Sequence, residues 1–133
     1  MKILRLNFAL LLLLGGSFGA GAPAAPAPAQ CRGTDRVVEK QIRFARGRTT
    51  AVIKDTIRLC TSHDYRLRAQ AGQTMSVNLA AGRRTGLTLR APSGEALVDG
   101  GKDWSGELPE DGEYAIEIGT DATARYTLEI TIR

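Results

Sequence analysis

Tyr65-Arg66-Leu67-Arg68-Ala69-Gln70-Ala71-Gly72-Gln73-Thr74-Met75-Ser76-Val77-Asn78-Leu79 holds two strands and the turn between them. Tyr65, Leu67 and Ala69 face one way, with Arg66 and Arg68 facing the other. After Ala71-Gly72-Gln73 the pattern returns, Met75, Val77 and Leu79 opposing Ser76 and Asn78. A period of two is the signature of a strand with one buried face. Working outward, Leu87, Leu89 and Ala91 alternate around Thr88 and Arg90. Tyr114, Ile116 and Ile118 alternate with Ala115 and Glu117. Tyr126, Leu128, Ile130 and Ile132 alternate with Thr127, Glu129 and Thr131. Upstream, Ile42 and Phe44 end one candidate strand, while Ala51, Ile53 and Ile57 line another. No window of eleven residues carries a helical stripe.

Turn chemistry falls between these runs, at Ala81-Gly82, Pro92-Ser93-Gly94, Asp99-Gly100-Gly101, Ser105-Gly106 and Asp111-Gly112. Glycine supplies positive φ there, and Asp and Ser bond nearby backbone. Short strands with a turn every ten or so residues predict an all-β fold. One apolar face per strand requires two sheets over a shared core. The expectation is an antiparallel two-sheet β-sandwich of jelly-roll or Greek-key type, with about eight strands, over residues 37–133.

The N-terminus reads differently. Lys2 and Arg5 precede a nearly pure apolar run from Leu6 to Leu14, and small residues follow. That is the layout of a secretory signal peptide, expected over residues 1–24 with cleavage between 20 and 29. The run is too short for a stable bilayer anchor, which needs about 20 residues. An Ala/Pro-rich linker and N-terminal segment occupies 25–36. Pro28-Ala29-Gln30 ahead of Cys31 departs from a lipid-acylation site, so the chain is expected to be periplasmic or secreted and not membrane-anchored.

Export governs the cysteines. Cys31 and Cys60 are the only two in 133 residues. An oxidising compartment favours their pairing as a staple between the N-terminus and the sheet. Two cysteines and one histidine also argue against a zinc or iron–sulfur centre. No metal or cofactor is expected.

Charge is unevenly spread. Residues 31–90 carry 13 basic and 4 acidic side chains, residues 91–133 carry 3 and 10. One reading is a basic face for an anionic partner, such as a cell-envelope polysaccharide, with Arg83 and Arg84 its most exposed point. The other is that early and late strands interleave and neutralise one another. Nucleic acid is not an expected partner. Export separates it from the chain, and few aromatics are available for stacking on bases.

Catalytic constellations are missing. His63 sits in Thr61-Ser62-His63-Asp64, and contiguous Ser, His and Asp cannot converge as a triad. Neither Ser76 nor Ser93 lies in a nucleophile elbow. Glu110, Asp111 and Glu113 read as turn carboxylates, and Asp99 and Asp103 do not match a calcium loop. The chain is therefore read as a non-enzymatic binding protein. Trp104, the single tryptophan, reads either as a ligand platform or as a cap on the core.

Four stretches carry a resemblance. They are Ile42-Arg43-Phe44-Ala45-Arg46-Gly47, then Asp64 to Val77, Leu108-Pro109-Glu110-Asp111-Gly112-Glu113-Tyr114, and Tyr126-Thr127-Leu128-Glu129-Ile130. Together they resemble the periplasmic inhibitors of g-type (goose-type) lysozyme. They are also similar to the bacterial pre-peptidase C-terminal domains, small interaction modules of secreted enzymes. The inhibitor resemblance implies an exported protein that inserts loops into a lysozyme's glycan cleft. The segment that best matches a contact loop is Glu110 to Tyr114, with Asp111 where related turns have Ser. It implies Glu110, Asp111, Gly112 and Glu113 as contacts, with alternation placing Tyr114 in the core. The segment Gly119 to Arg125 is shorter and less charged than the basic loop of these inhibitors, and Arg125 is its one cation.

Overall fold

The computed structural model describes residues 21–24, 31 and 36–133. Apart from 21–24, Cys31 and Arg36, the expected signal peptide and Ala/Pro linker lie outside the described residues. Among those described there are nine strands and no helix. These are β1 (Arg36–Gln41), β2 (Thr50–Ile57), β3 (Thr61–Ala69), β4 (Thr74–Ala81), β5 (Thr85–Arg90), β6 (Ala96–Gly101), β7 (Asp103–Glu107), β8 (Gly112–Thr120) and β9 (Ala124–Ile132). Among the described residues no helix is long and apolar enough to cross a membrane.

The strands form two sheets. One has five strands in the order β1-β3-β8-β5-β6, the other four in the order β2-β9-β4-β7. The inward-facing residues named from alternation make the core. Tyr65, Leu67, Met75, Val77, Leu87, Leu89, Tyr114, Ile116, Ile118, Leu128 and Ile130 are all buried. The turn at 70–73 joins β3 in one sheet to β4 in the other, so the opening stretch of sequence arches over the core.

Two details differ from the sequence reading. First, the five-stranded sheet is mixed, because β1 pairs parallel to β3 with Arg36 opposite Thr61 and Gln41 opposite Arg66. A disulfide joins Cys31 to Cys60, with Cα atoms 5.2 Å apart. Both strands thus leave from the same staple and run the same way. Alternation fixes which face a residue occupies and says nothing about strand direction. Second, Ile42 and Phe44 do not end a strand. β1 stops at Gln41, and Ile42 turns into the core while its N–H still donates to the Arg66 carbonyl at 2.8 Å. Counting β1 and the short β6 and β7 separately gives nine strands rather than about eight.

Register also sorts the loops to two ends. At one lie the connections 42–49, 70–73, 91–95 and 108–111. At the other lie 58–60, 82–84, Lys102 and 121–123, together with Cys31 through its bond to Cys60. Apart from the β1–β3 pair, each neighbouring pair of strands joins one from residues 31–90 to one from residues 91–133, which brings the basic half against the acidic half. The Arg66 guanidinium sits 2.6 Å from Asp64, 3.8 Å from Glu113 and 3.9 Å from Glu39. Its pKa is raised, chiefly by the hydrogen bond to Asp64.

Candidate functional site

The Leu108–Tyr114 turn is built from inside. Leu108 and Tyr114 are fully buried. The Tyr114 hydroxyl donates to the Glu110 carbonyl at 2.6 Å and accepts from the Glu110 N–H at 3.1 Å. A strand-entry tyrosine bonded to backbone a few residues upstream is the tyrosine corner of β-sandwiches. Gly112 adopts φ 137°, and a Cβ there would press on the Pro92 ring at 3.0 Å. The carboxylates are engaged as well. Asp111 accepts from the Ala71 N–H at 2.7 Å, and Glu110 accepts from the Ser93 hydroxyl at 2.8 Å. Glu113 stands across the strand pair from Arg68. The turn is therefore tied to both neighbouring loops.

Arg125 stands at the other end, on the outer face of the four-stranded sheet, opposite Thr56. With Lys54, Thr56, Ala80 and Thr127 it borders a shallow depression of about 360 Å³. Arg83 and Arg84 sit at this same end, exposed in the β4–β5 turn. The Asp121 N–H donates to the Arg84 carbonyl at 3.0 Å, so that turn is latched to the β8–β9 hairpin. Among the described residues, none of these three arginines has a carboxylate within ion-pair distance. Nine residues of β8 separate the two ends, about 30 Å at the rise of a strand. Glu110 to Glu113 and Arg125 thus lie at opposite ends of the sandwich.

A cluster that the sequence reading missed lies between the sheets. Lys40 of β1 pairs with Asp55 of β2, closing the open edge where these two edge strands flank the core. His63 is buried, its Nδ1 2.7 Å from the Tyr126 hydroxyl and 3.6 Å from Asp55. The Tyr126 hydroxyl also bonds that of Tyr65. The Lys40 ammonium lies 5.8 Å from the centre of the Tyr65 ring. Burial, reinforced by the Lys40 charge, lowers the His63 pKa and keeps the ring neutral. The hydrogen bond from Lys40 lowers that of Asp55, against a smaller opposing effect of burial. Burial raises the pKa of both tyrosines. A signal was present in the sequence. Asp55 occupies the inward register of Ala51, Ile53 and Ile57, where an unpaired carboxylate would be costly.

The remaining candidates are dispersed. Ser76 bonds Ser105 on an outer face and Ser93 bonds Glu110, so neither meets His63. Asp99 accepts from Thr88 and Asp103 from Asn78. Among the described residues no three His, Cys, Asp or Glu side chains converge as a metal site. Trp104, half-buried on edge strand β7, covers Gly106 and packs against the core.

No family model matches the chain, and no curated protein matches it. Solved structures do. A periplasmic inhibitor of g-type lysozyme from Aeromonas hydrophila, PliG, aligns with TM-score 0.68 and 25% identity, over 74% of this chain and 98% of that one. The Salmonella Typhimurium PliG aligns with TM-score 0.60 and 19% identity, over 72% and 98%. A mutant of the Escherichia coli protein aligns with TM-score 0.57 and 17% identity, over 74% and 98%. This chain has the fold of the periplasmic g-type lysozyme inhibitors. The match spans almost the whole of each inhibitor, and these neighbours are inhibitor proteins rather than enzymes.

Proposed function

We propose that this chain is an exported, non-enzymatic inhibitor of a g-type lysozyme, acting in the periplasm. The observation that carries the reading is the fit of the whole sandwich to the Aeromonas PliG structure, at 98% coverage of that chain. The leader-like N-terminus and the disulfide suit the same compartment. So does the stiffness of the scaffold. A stapled sandwich with short turns loses little conformational entropy on binding, which favours insertion into a preformed cleft.

Of the two ends, the one bearing Arg125 is the better contact. The Glu110–Glu113 turn spends its carboxylates on its own neighbours, whereas Arg125 lacks a carboxylate partner among the described residues. A guanidinium in that state can offer a fork of donors to a partner's carboxylate. Inhibition of a goose-type lysozyme by the oxidised protein tests the function. Arg125→Ala is expected to weaken inhibition about tenfold or more, as for loss of a charge-assisted hydrogen bond. Asp111→Ala with Glu113→Ala is expected to leave it intact at a temperature where the variant stays folded. The reverse pattern would move the contact to the turn.

A further inference from the structure

Strand β1 is a strap fixed at its ends and loosely held between them. It is the end strand of its sheet and pairs with β3 alone. At one end the Arg36 N–H donates to the Cys60 carbonyl at 3.3 Å, beside the disulfide. At the other, Ile42 is buried and its N–H donates to the Arg66 carbonyl. None of the six residues between is fully buried, and only Val38 and Lys40 are half-covered. Among the described residues, one polar side-chain contact ties β1 to the opposite sheet, that of Lys40 with Asp55 of β2. Strands with few buried contacts open locally at lower cost than the core.

The buried His63 ring lies next to this strap, with Val38 its register partner on β1. Among the described residues, the titratable and charged groups that face it are Lys40 from β1, Asp55 from β2, Tyr65 from its own strand and Tyr126 from β9. On the remaining side β8 presents Ile118. The cluster therefore has one carboxylate for two groups that can carry positive charge. A neutral His63 leaves Asp55 to Lys40. A protonated ring sets a second cation 3.6 Å from that carboxylate, beside the first. Water relieves the conflict by solvating the imidazolium, and β1 is the loosely held element that can admit it. The covering strands β8 and β9 carry the fully buried Ile116, Ile118, Leu128 and Ile130 and stay in place.

We propose that His63 is a proton-operated release for β1: uptake of one proton by the ring breaks the Lys40–Asp55 tie, and β1 lifts between its two anchors while the other strands stay paired. The direction follows from linkage. Burial and the Lys40 charge disfavour the imidazolium while β1 is closed, whereas a solvated ring protonates near 6.5. The open state therefore binds more protons, and acid favours it below about 6.5. The release belongs to the fold itself and does not rest on lysozyme binding.

Amide hydrogen exchange of the oxidised exported protein between pH 7.5 and 5, expressed as protection factors, tests this. The β1 amides should be less protected than those of β4 and β9, and should lose protection by up to about tenfold per pH unit below about 6.5, the limit for one proton. Amides of β7, an edge strand remote from His63, should keep theirs. His63→Gln should remove the pH dependence at β1. His63 is the single histidine, so its ring titration can be followed by NMR without ambiguity. Lys40→Met should raise its midpoint, because Asp55 is then free for the imidazolium. Protection of β1 that is flat with pH, falls equally in His63→Gln or matches that of β4 and β9 throughout would overturn the proposal. So would an unmoved His63 midpoint in Lys40→Met.

Discussion

At the scale of single residues, two side chains connect sequence to stability most directly. The first is His63, held neutral by burial and by the charge of Lys40. An unfolded histidine takes up its proton near the ordinary value of 6.5, above the depressed value in the fold. The unfolded chain therefore binds more protons in that window, and stability falls as pH drops below about 6.5. Asp55 adds a second, more acidic loss, since its lowered pKa stabilises the fold above 3.8 and that gain disappears as pH falls through the folded value. Chemical denaturation between pH 7.5 and 5 is expected to show a falling midpoint that His63→Gln flattens. An unchanged slope in that variant would assign the dependence to other groups. The second residue is Tyr114. Tyr114→Phe keeps the ring in the core but removes both hydrogen bonds to Glu110. A loss of about 1–2 kcal/mol in equilibrium unfolding is expected.

At the scale of elements, the strands were largely legible and their directions were not. Tyr65, Leu67 and Ala69, like Leu128, Ile130 and Ile132, lie on the core face that alternation assigns them. The parallel β1 was invisible to alternation, because it follows from the Cys31–Cys60 staple and from β2 crossing to the other sheet. The inward cluster was missed for a related reason. Lys40, Asp55, His63 and Tyr126 come from four strands, and only packing brings them within reach of one another. The Leu108–Tyr114 stretch forms one turn, and its buried Leu108 and Tyr114 encode the tyrosine corner that sets β8. The staple carries its own prediction. Its ends are 29 residues apart, and a loop of that size is worth about 3–4 kcal/mol in the chain-entropy model. Reduction, or replacement of both cysteines by serine, should lower stability by that order and speed hydrogen exchange first at the β1 amides. Equal exchange across all strands would show that β1 does not depend on the bond.

At the scale of the whole molecule, topology mixes the basic and acidic halves of the chain, with β8 between β3 and β5 and β9 between β2 and β4. Interleaving sets early strands beside late ones, and Arg66 near Glu113 of β8 is one such contact, although its Asp64 and Glu39 partners come from the early half itself. Arg83, Arg84 and Arg125 stand without ion pairs among the described residues at one end, and Arg43, Arg46 and Arg48 do so in the 42–49 connection at the other. The latter end, with its tyrosine corner and bonded carboxylates, locks the two sheets together. Exposed guanidinium groups such as that of Arg125 on a rigid body suit a partner that presents carboxylates within a cleft. Inhibition should then weaken as ionic strength rises, because exposed charges are screened over about 10 Å at 0.1 M salt. Salt-independent inhibition would shift the weight to apolar contacts. The most direct measurement is the activity of a goose-type lysozyme titrated with the oxidised, exported protein at moderate salt, with a chicken-type enzyme alongside. Goose-type activity should fall to a stoichiometric end point while the chicken-type enzyme keeps working. Full goose-type activity in clear molar excess of the protein would contradict it, and would leave the likeness to the inhibitors as one of fold alone.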